Sequence, residues 1–214
     1  LPCHQRFVDR PLYRPIVKIE SFARGFGSDW PFLTHCTRGS LQLAPDESKG
    51  NTQLRNWLEG YQQSFSPLDM LCRIANQKLL LGSNKTKRTQ YRSVSLSACR
   101  LPELLARRTF RSHLGRWDWE PYGVIIRRAN LESMGANPVR YGDEDEFQRL
   151  PDETKSFFQP RGKSRQWEQE QEWRLLGDLP LTTIPPDNMF LFCATKTQAI
   201  KLASQFPWTI LYLA

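Results

Sequence analysis

The chain has 214 residues, 39% hydrophobic and 12% aromatic with seven tryptophans, enough apolar surface for a core, which excludes a disordered polyelectrolyte. Its length exceeds the usual single-domain mode of roughly 100–150 residues but suits one α+β domain. A formal charge of +8 and the lack of any run of about 18 apolar residues point away from the membrane and towards anionic partners.

The opening "LPCHQRFVDRPLYRP" has no leading Met and no apolar signal core, so a trimmed start is expected and residues 1–30 read as an irregular, Pro- and Gly-containing arm. A single domain is expected over 31–214. "WPFLTHCTRG" mixes aromatic, Leu and Thr residues ahead of a glycine and reads as a short strand entering a loop. Over 51–63, Leu54, Trp57, Leu58 and Tyr61 recur at helical spacing. Ser66-Pro67 then supplies an N-cap and a proline at the first helical position for a second helix, "LDMLCRIANQKLLL".

"YRSVSLSA" alternates Val94 and Leu96 with serines, the pattern of a half-buried strand, and "LPELLARRTF" returns to helix. "PYGVIIRR", "NPVRYG", "EWRLLGDL", "NMFLFCA" and "WTILYLA" read as strands. "TKTQAIKLASQF" between the last two is a Thr-capped amphipathic helix. Helices thus concentrate in the first half and short strands in the second, with no ~30-residue βαβ rhythm. The P-loop, dinucleotide-binding and G-x-S-x-G motifs do not occur.

Charge is unevenly placed. From Lys85 to Arg128 eleven basic residues face three acids, whereas from Tyr141 to Pro180 ten acids face six bases. Lys85, Lys87, Arg88, Arg107, Arg108, Arg111 and Arg116 are candidate nucleic-acid contacts, weighed against a basic face in plain water. The loop holding His113, Arg116, Trp117 and Trp119 mixes cations with stacking surfaces of the kind that hold bases. Five scattered cysteines without a C-x-x-C pair suit a reducing, cytoplasmic setting. The isolated His4, His35 and His113 lack the paired spacing of a structural zinc site, so no metal is expected.

The stretch "RQWEQEQEWRLLG" places Glu168, Glu170 and Glu172 two residues apart. In an extended chain they share one face, where three like charges need an exposed mouth or a neutralising base. Arg174 can be that base, because a guanidinium beside paired acids fixes a carboxylate through a bidentate contact.

The combination of "THCTRG", "SPLDMLCRIANQKLLLGS", "SVSLSA" and "EQEWRLL" resembles the layout of the ADP-ribosyltransferase fold over residues 32–178, above all its DNA-targeting toxin branch. The "E-x-E-W-R" ending also resembles uncharacterised bacterial proteins associated with phage defence. The resemblance implies a split, mixed or antiparallel sheet with a central cleft, NAD as co-substrate, nucleic acid or protein as acceptor, and a toxin or defence effector. It implies Glu172 as the catalytic glutamate with Glu170 as the first acid of the pair. His35, Thr37, Arg38, Ser95 and Ser97 would then hold the dinucleotide. Two other classes stay open: a basic nucleic-acid-binding module without catalysis, and a metal-dependent nuclease using Glu170, Glu172 and the acids at 143–146.

Overall fold

The computed structural model describes residues 14–41, 64–83, 91–111, 116–161 and 169–214. It is a mixed α+β protein built on a large mixed sheet. Eight strands make that sheet, numbered here in chain order: β1 (Ile16–Lys18), β2 (Phe32–Cys36), β3 (Ser93–Ser97), β4 (Gly123–Arg127), β5 (Asn137–Pro138), β6 (Glu172–Leu176), β7 (Met189–Cys193) and β8 (Thr209–Tyr212). Their spatial order is β1-β8-β7-β4-β2-β3-β6-β5. The β1, β8 and β7 strands run parallel, and every other neighbouring pair is antiparallel.

Alternation along the strands divides the apolar residues between two layers. Leu33, Val94, Leu96, Val124, Ile126, Leu175 and Leu191 face one side and join the larger core. Phe32, Ile125, Phe192 and Leu211 face the other, against Ile19, Trp30, Leu101 and Leu105. Both faces are covered at the centre, which is why "GVIIR" reads as an unbroken apolar run.

Seven α-helices occur among the described residues: α1 (Ile19–Arg24), α2 (Pro67–Gln77), α3 (Leu101–Ala106), α4 (Arg128–Ser133), α5 (Glu144–Arg149), α6 (Asp152–Lys155) and α7 (Lys196–Ala203). The expected caps form. Ser66 and Asp69 make a reciprocal capping box ahead of α2, and Thr195 and Gln198 make another ahead of α7. Among the described residues helices occur in both halves; α4, α5 and α6, with only six, six and four residues, are too short for a helical period to register in sequence. The helix read over 51–63 lies outside the described residues. None of the described helices is long and apolar enough to cross a membrane.

The expected arm needs correction over its described part. Ile16–Lys18 is an edge strand paired in parallel with β8, and α1 buries Ile19 and Ala23 in the second layer. Three residues beside a proline give no periodic signal, and their partner lies almost two hundred positions away. "NPVRYG" also differs: it divides into β5 and a separate strand, Arg140–Gly142, which pairs with Phe158–Pro160 beside the main sheet.

Candidate functional site

The sheet is weakest between β2 and β3. These strands share one paired position, Thr34 with Ser97, whereas β2 pairs with β4, and β3 with β6, along five residues each. Beyond that rung the strands part, and the imidazole of His35 reaches over, its Nδ1 2.9 Å from the carbonyl oxygen of Ser95. A carbonyl only accepts, so Nδ1 carries the proton and Nε2 keeps its lone pair. Burial lowers the His35 pKa below its ordinary value and Arg38 adds to the effect, with the Ser95 bond opposing. The ring is neutral at pH 7.

A cleft of about 510 Å³ opens where the strands diverge, a volume in the range of small-molecule sites. His35 and Arg38 border it from the β2 side, Ser95 and Ser97 from β3, and Glu170 and Glu172 from the segment entering β6. Three stretches far apart in sequence thus meet at one opening. Thr37 does not join them. It is buried, with its hydroxyl 2.8 Å from the Pro67 carbonyl and 3.1 Å from that of Tyr122, so it fastens the loop after β2 to the start of α2.

The glutamates reach the cleft by a route other than a continuous strand. Residues 169–170 form a short 3-10 turn and Gln171 has a left-handed φ of 45°, so extended structure begins only at Glu172. Ser97 holds this turn: its hydroxyl donates to the Glu170 carbonyl at 2.6 Å and accepts from the Cys99 amide at 3.1 Å. Glu168 lies outside the described residues.

Arg174 fixes Glu172 as the sequence suggested. Its Nε and Nη2 donate to the two carboxylate oxygens at 3.0 and 3.2 Å. Its remaining donors go to the carbonyls of Ser156 and Phe158 and to Gln159 Oε1. Arg174 is 3% exposed and its guanidinium donors are all satisfied, so its fork cannot swing away. Tyr141 donates to the same carboxylate. Burial, followed by the Glu172 and Glu170 charges, raises its pKa, so it remains a neutral phenol.

Sequence reasoning missed several residues bordering this cleft. Thr34 is 1% exposed, and its hydroxyl has no partner among the described residues. Trp119 carries a left-handed φ of 59°, rare for a bulky side chain. With Tyr141 it supplies the aromatic surface that the motifs alone did not locate. The Cys36 thiol also borders the cleft, but burial pushes its pKa up to about 12, which keeps it protonated and unreactive. Cys36, Cys72, Cys99 and Cys193 are all free thiols. Trp119 and Tyr141 had signals in "WDWEPYG" and "NPVRYG", but no spacing rule linked them to the glutamates.

The acids at 143–146 belong elsewhere. Asp143 and Glu146 form the capping box of α5, Glu146 also pairs with Arg140 at 3.2 Å, and none of the four borders the cleft. Among the described residues no group of three or more ligating side chains is placed to hold a metal ion.

Much of the basic segment is spent internally. Arg92 pairs with Asp178 at 3.0 Å, and Arg100, Arg107 and Arg128 donate to backbone carbonyls. Arg127 donates to Asn188. Arg108 pairs with Glu120 at 2.7 Å and lies 4.3 Å over the Trp117 ring. Arg111 and Arg116 are opposed backbone positions where Thr109–Arg111 pairs with Arg116–Asp118, and Phe110 and Trp117 in these strands are exposed. Lys85, Lys87, Arg88 and His113 lie outside the described residues.

Fold and site together define an α+β protein whose polar cleft opens at a one-rung junction in its sheet. Comparison with known protein families, curated proteins and solved structures finds no match.

Proposed function

We propose that the chain is an ADP-ribosyltransferase-like enzyme that uses NAD to modify nucleic acid or protein, as a toxin or phage-defence effector does. One observation carries the reading: His35, Ser95, Ser97, Glu170 and Glu172, drawn from three separated motifs, border a single cleft. The cleft suits the co-substrate in volume, in its donors and acceptors and in the Trp119 and Tyr141 rings.

Bound NAD supplies a ribose carbon that gains oxocarbenium character as its bond to nicotinamide breaks and the electron pair leaves with the base. Glu172, oriented by Arg174 and Tyr141, accepts a ribose hydroxyl hydrogen bond and stabilises positive charge at that carbon. Neutral His35 offers Nε2 as an acceptor towards the cleft. Glu170, two residues from Glu172 but set in a turn held by Ser97, takes the proton from the acceptor's attacking oxygen or nitrogen. The different surroundings of the two carboxylates support this division of labour.

The nucleic-acid side of the proposal rests on the paired strands Thr109–Arg111 and Arg116–Asp118, whose exposed Phe110 and Trp117 lie beside the Arg108 cation and which lead into Asp118 and Trp119 at the cleft. The test is nicotinamide release by the wild-type protein and by Glu172→Gln in excess EDTA, with folding checked by circular dichroism. Turnover in the wild type and its loss in the variant is expected. Equal rates, including an equal absence of turnover, would remove Glu172 from catalysis, and activity that needs added Mg²⁺ and cuts strands without NAD would replace the transferase with a nuclease.

A further inference from the structure

A second cavity of about 500 Å³ lies past the end of β3, bordered by the last turn of α1, the start of α3 and Gln171. Three arginines border it, Arg24, Arg100 and Arg107, against one acid, Glu103. None of the three arginines forms an ion pair among the described residues, although Arg100 and Arg107 donate to the Ala23 and Gln169 carbonyls. The charge surplus therefore remains.

Two buried donors at this cavity also lack acceptors among the described residues: the indole Nε1 of Trp30 and Nε of Arg100. Trp30 is 6% exposed and held by edge contacts with Phe22, Phe26 and Phe32, so its N–H cannot turn to water without disturbing the aromatic cluster. Buried N–H groups are normally paired. Two such donors beside one arginine-lined cavity favour an acceptor that is negatively charged and carries several oxygens.

We propose that this cavity binds a phosphate group, at a site separate from the glutamate cleft. Phosphate oxygens match the forked arginine donors and accept from the indole. Gln171 borders this cavity while Glu170 and Glu172 border the other, so an anion here lies against the turn that carries the candidate catalytic acids. The proposal does not depend on transfer chemistry, because binding is read without turnover.

The test follows the Trp30 indole N–H resonance, assigned from its loss in Trp30→Phe, during titration with inorganic pyrophosphate, NAD or a 5′-phosphorylated tetranucleotide. A saturable shift is expected with at least one probe, and the tightest probe identifies the source of the phosphate. Arg24→Gln changes an exposed side chain and should weaken that binding by about tenfold, the loss expected for one charge-assisted contact, while Glu103→Gln should strengthen it. An indole resonance that none of the probes moves, or an Arg24→Gln titration identical to wild type, overturns the site. If NAD turnover is absent but the indole still titrates, the phosphate site stands and the transferase reading fails.

Discussion

Replacing Arg174 by methionine tests whether Glu172 owes its position to the guanidinium. Methionine keeps the length and apolar bulk but removes two contacts to the carboxylate, two to backbone carbonyls and one to Gln159. Breaking a buried ion pair by deleting one partner costs about 3–5 kcal/mol, because the other charge is left uncompensated. The Glu172 side chain is 18% exposed at the cleft and keeps some hydration, which puts the expected loss near 3 kcal/mol, still a large share of the ~5–15 kcal/mol stability of a domain. Urea unfolding at pH 7 measures it, with an unchanged m-value confirming a shift in stability alone. The double variant with Glu172→Gln should lose less than the sum of the single changes, with a coupling of about 1.5–3 kcal/mol. A loss below about 1 kcal/mol, or simple additivity, would show that Arg174 does not hold Glu172.

Two further outcomes follow from the same junction. The His35 imidazole should titrate below its ordinary value of 6.5. A lowered folded pKa means that its contribution is complete above about pH 6.5 and is lost as the unfolded chain takes up the proton on acidification; a titration midpoint at or above 6.5 in the ring proton spectrum would contradict the buried, Nδ1-bonded ring. Gly123→Ala should cost about 1–3 kcal/mol in urea unfolding, the scale of overpacking, because its Cβ would run into the His35 carbonyl oxygen and the Phe192 ring. Unchanged stability would mean that β2 and β4 approach less closely than the structure places them.

Strands of four or five residues with clear alternation or a β-branched run were legible in sequence, as "SVSLS", "GVIIR" and "MFLFC" show. Helix starts were legible where a capping box preceded a longer amphipathic run, at Ser66 and Thr195, but not at Asp143, whose capping box opens a helix of only six residues. The 3-10 turn at 169–170 was not, because the alternating glutamates match a strand so closely that only the left-handed Gln171 and the Ser97 bond to Glu170 break the pattern. Thr37 misled for a related reason: its motif position says nothing of where its hydroxyl bonds, and it bonds to Pro67 and Tyr122 away from the cleft. The basic segment overstated its free donors, not its charge, because arginine N–H groups also satisfy backbone carbonyls, which net charge cannot reveal.

The position of the cleft follows from the accounting of backbone polar groups. A central strand must satisfy both edges along its length, since a buried unpaired N–H or C=O carries a desolvation cost. At the β2–β3 junction the ladder stops after Thr34 and Ser97, and a side chain takes over, with His35 Nδ1 bonding the Ser95 carbonyl; on the other side of β3 the Ser97 hydroxyl bonds the Glu170 carbonyl of the turn entering β6. Polar groups remain at the opening: the His35 imidazole, whose Nε2 has no bond among the described residues, and on the turn beyond Ser97 the Glu170 carboxylate. On the far side, Arg174 on β6 uses its donors to tie Glu172 to the 156–159 segment, so the acid is braced by a part of the chain outside the main sheet. A ladder continued between β2 and β3 would have paired the Ser95 carbonyl with backbone and closed the gap that His35 now spans. The interruption in the sheet is therefore what brings neutral imidazole, hydroxyls and two differently held carboxylates to one cleft.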